Sequence, residues 1–262
     1  MKQFSLKTSG LLALALVGFL AAGSSASAQF VNGGFEDGNF NGWTRGSGYW
    51  AGENPINPAN YFSGGPNYSA AYDASAIVTP GADPIVGAAL NRVYSGNYSV
   101  RVNDSNNNNS ISAIKQTVVN YTDSSIYFAW AAVLEDSHGS TDSDNFTLKL
   151  TNDTKGLTLY SVTYNSFDNG AIFHTAGNWY YTDWQVQNLD VSAYTGDTFT
   201  LSLLAADCPY GGHAGYTYLD GFGSVIVQPG PTTAVPEPST YGLIGAGVLL
   251  FGAMLRRRFA KR

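Results

Sequence analysis

The side chains best suited to catalysis are Asp207, Cys208 and His213, which lie within seven positions of one another in the segment ADCPYGGHAGYTYLDGF. A thiol and an imidazole act together in acyl transfer when a third group orients the base and the thiol is ionised. Glycines 211, 212 and 215 in the same segment are typical of a tight connection between two strands, with His213 in a supporting role. Closeness in sequence does not establish catalytic geometry, so the spacing favours the structural interpretation.

The remaining candidates for nucleophilic or metal catalysis are sparse. His138 and His174 are isolated in sequence and the chain has no HExxH pattern, which is a poor case for catalytic zinc. Cys208 is the only cysteine, so a disulfide within the chain is impossible, and a buried, inert thiol is favoured over one that cross-links two chains. A glycosidase needs two carboxylates paired in space, and no pair stands out among the 19 Asp and Glu residues.

Aromatic residues are more suggestive of binding. The polar, loop-like segment 44–72 carries six of them: Tyr49, Trp50, Tyr61, Phe62, Tyr68 and Tyr72. Such rings either pack down on the core or form a platform for the apolar face of a sugar. A second cluster precedes a strand: Trp179, Tyr180, Tyr181 and Trp184. Packing is favoured for both clusters, and Trp50 and Tyr61 are the first candidates for sugar binding.

The elements that position these residues are predicted to be strands. Eight segments rich in β-branched and aromatic residues alternate in character: 98–102, 111–119, 125–133, 146–151, 157–164, 184–191, 198–205 and 216–227. Polar turns separate them, and no segment of the domain shows a sustained helical stripe. The pattern predicts an all-β domain over residues 29–228, folded as a two-sheet antiparallel sandwich.

Both ends of the chain have the features of targeting segments. Two lysines, an apolar stretch and the small residues Ala26-Ser27-Ala28 predict a secretory signal peptide over residues 1–28. After the domain come a proline-rich linker (229–238), an apolar transmembrane segment (239–255) and a basic tail (256–262). The basic tail predicts that the domain lies on the outer side of the membrane.

The C-terminal end resembles the PEP-CTERM sorting signal. The residues that carry the resemblance are the motif Val235-Pro236-Glu237-Pro238-Ser239, the apolar segment after it and the terminal arginines, in that order. The resemblance implies an exosortase as processing partner, transient anchoring in the inner membrane of a Gram-negative bacterium, and delivery to the cell surface or extracellular matrix. A plain tail anchor is the alternative.

The domain resembles the galactose-binding-like jelly rolls of carbohydrate-binding modules. FVNGGFEDGNFNGW at 30–43 is similar to their opening strand, and NLDVSAYTGDTFTLSLLAADC with GYTYLDGFG is similar to their closing strands. The resemblance implies a jelly roll in which Glu36 and Asp220 hold a structural Ca²⁺, a hard cation that prefers oxygen ligands. Two exposed carboxylates are the alternative. A rival acidic loop, with aspartates at 136, 142 and 144, is predicted to be solvated.

Charge and composition limit the classes of function that the chain could have. Over residues 29–238, six Lys and Arg stand against 19 Asp and Glu, and this acidic balance excludes a nucleic-acid partner. We expect a non-catalytic exported protein that binds exopolysaccharide and is associated with biofilm. A secreted polysaccharide hydrolase and a purely structural matrix protein are the alternatives.

Overall fold

The computed structural model describes residues 29–226 and 228–229. The predicted signal peptide, the linker after Pro229, the sorting motif 235–239, the apolar segment 239–255 and the basic tail 256–262 lie outside the described residues. Within the described part of the chain, no helix is both long and apolar enough to cross a membrane.

The described chain is built almost entirely from strands, with three short 3-10 turns between them. In chain order the strands are β1 (Thr44–Tyr49), β2 (Ala76–Val78), β3 (Ala82–Asp83), β4 (Gly87–Asn91), β5 (Ser99–Val102), β6 (Ser110–Val118), β7 (Ser125–Glu135), β8 (Asn145–Asn152), β9 (Leu157–Asn165), β10 (Phe173–Ala176), β11 (Trp179–Thr182), β12 (Gln185–Asp190), β13 (Phe199–Ala206) and β14 (Gly215–Gly223).

Two large antiparallel sheets face each other. The five-stranded sheet has the order β1-β6-β13-β8-β9, and the seven-stranded sheet has the order β10-β11-β7-β14-β5-β2, with β12 also paired to β7. Strands β5 to β8 alternate between the sheets, as jelly-roll connectivity requires. The predicted fold class, an all-β antiparallel jelly-roll sandwich, is confirmed.

The main core lies between the sheets and follows from the period-two alternation of the strands. In β8, for example, Phe146, Leu148 and Leu150 are fully buried while the residues between them face outward. Strands β7 and β14 are buried on both faces, because the β3–β4 hairpin covers a second apolar layer on the outer face of the seven-stranded sheet. Strand β7 therefore has a nearly continuous apolar run in the sequence, whereas the apolar residues of β14 are interrupted by Thr217 and Asp220.

Each of the eight predicted strands is present, but the loop-like segment and the opening segment differ from expectation. Segment 44–72 begins with strand β1. The sequence does not show this strand, because Gly46 and Gly48 have no side chains and interrupt the alternation of apolar and polar residues. A Cβ atom on Gly48 would lie 2.1 Å from the carbonyl oxygen of Asn67, so the chain that crosses β1 requires glycine. Residues 30–43 form a series of turns rather than an opening strand, with Phe35 at φ +59°.

Candidate functional site

An open groove of about 360 Å³ lies on the outer face of the five-stranded sheet, over β8 and β9. Its floor consists of outward-facing polar side chains, and one wall is formed by residues 50–69, which we call the lid. The lining residues are Trp50, Asn54, Pro55, Ile56, Pro58, Ser140, Thr141, Asn145, Thr147, Lys149, Ser161, Thr163 and Asn165.

Strand register places the floor residues in facing pairs. Thr147 lies opposite Thr163, and Lys149 lies opposite Ser161. The two threonine hydroxyls are 2.9 Å apart and share a hydrogen bond. Because alternate residues of both strands face outward, the floor offers hydroxyl, amide and ammonium groups to any molecule in the groove.

The lid forms the apolar wall and is fixed at several points. Trp50 is 1% exposed, and its indole N–H donates to the carbonyl oxygen of Glu53 at 3.0 Å. The side-chain amide of Asn54 donates to the carbonyl oxygen of Thr141 at 3.1 Å, which connects the lid to the loop at the far end of the groove. Trp50 therefore borders the groove from within the lid.

The second predicted sugar-binding residue, Tyr61, lies inside the lid. It is 0% exposed and packs with Trp50 against the outer face of β6 and β13. Its hydroxyl donates to Glu53, which also accepts the side-chain amide of Asn67 at 3.1 Å. Burial, reinforced by Glu53, raises the pKa of Tyr61. A direct contact between Tyr61 and a ligand requires the lid to move, so in this structure Tyr61 supports the lid.

Two other rings of segment 44–72 reach solvent. Tyr49 is 48% exposed and Tyr68 is 39% exposed, and neither lines the groove. The Tyr49 ring contacts Tyr72 edge to face, with centroids 5.8 Å apart. The exposed rings of this segment therefore lie apart from the polar floor.

The second aromatic cluster packs on the outer face of the seven-stranded sheet. Trp179 and Trp184 lie 6.4 Å and 6.1 Å from the rings of Tyr216 and Tyr218, respectively. The indole N–H of Trp184 donates to the carbonyl oxygen of Asn91 at 2.8 Å, which fastens the β3–β4 hairpin. Three of the four predicted members, the two tryptophans and Tyr181, thus belong to the second apolar layer.

A buried carboxylate beneath that layer is absent from the sequence-based predictions. Asp83, 2% exposed, accepts hydrogen bonds from the hydroxyls of Tyr216 and Tyr218 at 2.8 to 3.0 Å. It also accepts the backbone N–H groups of Ile85 and Val86 at 2.8 Å. Burial, with the Asp83 charge, raises the pKa of both tyrosines, so they remain protonated donors.

The predicted calcium ligands, Glu36 and Asp220, flank Gly34. A Cβ atom on this glycine would lie 3.6 Å from Asp220 Oδ1 and 3.8 Å from Glu36 Cγ. Both carboxylates hold one turn, residues 94–98. Asp220 accepts the N–H groups of its first two residues at 3.0 Å, and Glu36 accepts those of its last two at 3.0 to 3.1 Å.

The charges at this turn are suited to a cation. Burial raises the pKa of Asp220 to about 7, and the Glu36 charge adds to the rise. Neither carboxylate has an ion pair with a Lys or Arg of the described chain. These two carboxylates are the residues that could hold a hard cation such as Ca²⁺, which prefers oxygen ligands.

Residues 207–213, which include Asp207, Cys208 and His213, lie in the connection between β13 and β14. The hydrogen bonds of Asp207 go to other residues than the imidazole: it accepts the Ser110 hydroxyl at 2.8 Å and the Asn103 side-chain amide at 2.8 Å. Burial raises the pKa of Asp207 to about 7. His213 Nδ1 instead contacts the Ser137 hydroxyl at 3.1 Å. Asp207 therefore holds the connection together and does not orient His213.

The rival acidic loop is only partly solvated. Asp136 is exposed, as predicted, but Asp144 is 0% exposed. Asp144 accepts the N–H of Glu135 at 3.0 Å and the Ser166 hydroxyl at 2.6 Å. Burial raises the pKa of Asp144 well above its usual range. The prediction of a solvated loop is wrong at this position, because the carboxylate closes the loop from inside.

The polar groove floor is a candidate site that the sequence-based predictions missed. A signal was present in FTLKLT and LTLYSVTY, whose alternation places Thr, Lys and Ser on the outward face. The contact between these strands and the lid could not be predicted from the sequence, because residues 70–144 separate the lid from β8 and only the fold brings the two together.

Comparison with solved structures finds distant similarity to carbohydrate-binding modules. The module TmCBM61, solved in complex with β-1,4-galactotriose, is 16% identical, with a TM-score of 0.39, and the match covers 75% of this chain and 97% of that one. CBM28, a module specific for non-crystalline cellulose, is 16% identical, with a TM-score of 0.35 and coverage of 75% and 94%.

The chain is similar to an enzyme domain at a comparable TM-score. The enzymatically active domain of bacteriophage CBA120 tailspike protein 4 is 10% identical, with a TM-score of 0.36, and the match covers 76% of this chain and 21% of that one. No curated protein matches the chain.

The C-terminal resemblance is confirmed by a family match. Residues 234–258 match the PEP-CTERM protein-sorting motif, and this range contains the predicted motif 235–239. The match begins a few residues after the described sandwich. The chain is thus an all-β sandwich domain followed by a PEP-CTERM sorting motif.

Proposed function

We propose that this protein is exported, sorted through its PEP-CTERM motif, and binds polysaccharide without catalysing a reaction. The observation that carries the binding proposal is the open groove over β8 and β9, with its polar floor and its apolar lid wall. Sugar rings present hydroxyls on their edges and C–H groups on their faces, so they match a surface that offers hydrogen-bonding groups beside an apolar wall.

The composition of the groove favours binding over hydrolysis. A glycosidase of the usual kind needs two carboxyl groups about 5 to 10 Å apart across the scissile bond. None of the described residues that line the groove is Asp or Glu. The hydrolase alternative therefore has no acid–base pair at this site, and the groove supports a binding protein over a purely structural one.

The sorting proposal rests on the C-terminal match. Its sequence implies recognition by an exosortase after export under the predicted signal peptide 1–28, with the segment 239–255 as a transient inner-membrane anchor. The destination we propose is the cell surface or an exopolysaccharide matrix, including that of a biofilm.

The binding proposal is tested by filling the groove. Thr163 is exposed on the floor, so Thr163→Arg places a long side chain in the groove without disturbing the core. Thr158→Arg is the matched control, because Thr158 is exposed on the same strand outside the groove. Full-length protein in mild detergent is screened on a glycan array, and the affinity for each bound polysaccharide is measured.

We expect Thr163→Arg to weaken binding at least about 10-fold, since it removes contacts worth roughly 1.4 kcal/mol or more, and Thr158→Arg to bind like the unmodified protein. The absence of binding to any polysaccharide, or equal binding by the two variants, would sink the proposal that this groove is the site. Release of reducing ends from a bound polysaccharide would favour the hydrolase instead.

We also propose that Ca²⁺ bound by Glu36 and Asp220 strengthens the hold on turn 94–98. The support is that Glu36 and the buried Asp220 both bind this turn with carboxylate oxygens, which are ligands that Ca²⁺ prefers, and that neither has an ion pair with a Lys or Arg of the described chain. Calcium is then expected to raise the melting temperature of the chain, and the effect should vanish in Asp220→Asn and persist in Asp37→Asn, whose carboxylate is exposed. An equal melting temperature with calcium and with chelator contradicts calcium binding.

A further inference from the structure

The fold brings together three ligand-type side chains from two distant parts of the sequence. His138, Cys208 and His213 each offer one side-chain ligand atom, and these atoms all lie within 4.8 Å of one another. The rings of His138 and His213 meet edge to face, with centroids 4.7 Å apart. His138, which is isolated in the sequence, is therefore the neighbour of the segment that carries the thiol.

Two loops at one end of the sandwich hold this cluster. His138 lies in the loop between β7 and β8, and the other two residues lie in the connection between β13 and β14. The loops are joined by a reciprocal pair of hydrogen bonds: the N–H of Glu135 donates to the carbonyl oxygen of Ala214 at 3.0 Å, and the N–H of Ala214 donates to the Glu135 carboxylate at 3.1 Å. These contacts hold the two loops together beside the cluster.

The turn that carries the thiol is preorganised around it. The N–H of Gly211, at φ +67°, donates to the carbonyl oxygen of Cys208 at 3.1 Å and closes a β-turn. Within this turn the N–H of Tyr210 donates to Cys208 Sγ at 3.4 Å. The backbone of Cys208 donates in turn to the carbonyl oxygen of His213 at 3.0 Å. An N–H directed at sulfur stabilises the negative charge that a thiolate carries as a metal ligand.

An outer contact also orients one imidazole. The Ser137 hydroxyl lies 3.1 Å from Nδ1 of His213, which leaves Nε2 of that ring for a metal. A ligating histidine commonly has its second ring nitrogen fixed in this way. The cluster therefore has both ligand atoms and a partner that orients one ligand. An accidental cluster of side chains would not need the second feature.

The distances are compatible with a tetrahedral ion. Zinc binds thiolate sulfur at about 2.3 Å and imidazole nitrogen at about 2.0 to 2.1 Å, which places tetrahedral ligand atoms roughly 3.5 Å apart. Closing a separation of 4.8 Å to this value requires a shift of about an ångström. His138 is exposed at the rim, so rotation of its side chain supplies the shift.

We propose that His138, Cys208 and His213 form a binding site for a thiophilic divalent transition metal, Zn²⁺ being the representative ion. Two imidazoles and a thiolate select this class over Ca²⁺ and Mg²⁺, which prefer oxygen ligands. Three protein ligands leave a fourth position for water or an outside donor. The site clamps the two loops, and it shares no residue with the groove lining or the proposed calcium site.

The site is tested with Co²⁺ as a spectroscopic substitute for Zn²⁺. Full-length protein without a histidine tag, in mild detergent, is freed of metal with a chelator under reducing conditions and titrated with Co²⁺. We expect a thiolate-to-cobalt charge-transfer band, which only Cys208 can produce because the chain has no other cysteine. We expect stoichiometric Zn²⁺ to abolish the band and excess Ca²⁺ or Mg²⁺ to leave it intact.

Variants separate this site from adventitious binding. His138→Ala alters an exposed side chain and is expected to weaken Zn²⁺ binding by at least about 100-fold, while Ser137→Ala weakens it by about 10-fold. His174→Ala is the matched control, because this histidine is also exposed and pairs with Asp183. It is expected to bind Zn²⁺ like the unmodified protein.

Three results would overturn the proposal. They are the absence of a charge-transfer band, Zn²⁺ binding that His138→Ala leaves unchanged, and equal losses in His138→Ala and His174→Ala. Cys208→Ser replaces a buried residue, so its circular dichroism is compared with that of the unmodified chain. The His138→Ala comparison tests the site even if the Cys208 variant fails to fold.

Discussion

Replacement of Asp83 by Ala is expected to destabilise the sandwich strongly, because one buried carboxylate receives four donors. These are the hydroxyls of Tyr216 and Tyr218 and two backbone N–H groups of the β3–β4 hairpin. Each buried donor left without an acceptor costs about 1 to 3 kcal/mol, so the two hydroxyls alone give roughly 2 to 6 kcal/mol. For a domain of this size, a loss of about 4 kcal/mol lowers the melting temperature by roughly 8 to 16 °C.

The assay is guanidinium unfolding of the full-length chain, followed by tryptophan fluorescence. Asp168→Ala, at an exposed aspartate, is the control and is expected to stay within about 0.5 kcal/mol of the unmodified protein. The sharper comparison adds Tyr216→Phe and Tyr218→Phe to the Asp83→Ala background. Because these changes remove the orphaned hydroxyls, the triple variant should be more stable than Asp83→Ala alone. If the three losses simply add, the reasoning is refuted.

Three further changes test other parts of the structure. Burial raises the pKa of Asp144, so the folded state keeps a proton that the unfolded chain releases above about pH 4. The free energy of unfolding therefore falls as pH rises from there, and Asp144→Asn should flatten this slope in urea titrations; an unchanged slope contradicts the assignment. Gly48→Ala should detach the lid, since its Cβ would lie 2.1 Å from the Asn67 carbonyl oxygen, and proteolysis should then cut within residues 50–69. Gly33→Ala should lower the melting temperature because its Cβ would lie 1.7 Å from the Phe222 carbonyl oxygen; an unchanged melting point contradicts this contact.

The strands that the sequence predicted are those in which local pattern and final environment agree. Strand β8 alternates as a half-buried strand should, and its bounds were predicted within one residue at each end. Strand β1 was missed because the lid crosses it at Gly46 and Gly48. Glycine has no side chain, so these two positions contribute nothing to an alternation of apolar and polar residues. The β10–β11 hairpin was missed because its partly buried aromatic run shows no alternation.

Most of the candidate sites could not be predicted from the sequence, because they are formed by contacts between segments that are far apart in the chain. Asp83 is 133 residues from Tyr216, and no local spacing connects them. His138 is likewise separated from Cys208 by the whole of strands β8 to β13. In contrast, Glu36 and Asp220 were placed near each other by resemblance to a fold whose first and last segments meet. Aromatic content pointed to the lid, but burial and exposure within it were set by the fold.

The position of β14 has a mechanical consequence. It is the last described strand, it is paired between β7 and β5 within the seven-stranded sheet, and the chain leaves it toward the sorting motif. A tension applied to the residues that follow β14 enters the sandwich at Gly223 and runs along a strand that is hydrogen-bonded to β7 and, at residues 217–219, also to β5. The two ladders then share the load in shear, and slow forced unfolding is governed by the rate at which they rupture together. A pull from the C-terminal side of β14 is therefore opposed by two hydrogen-bonded ladders rather than one.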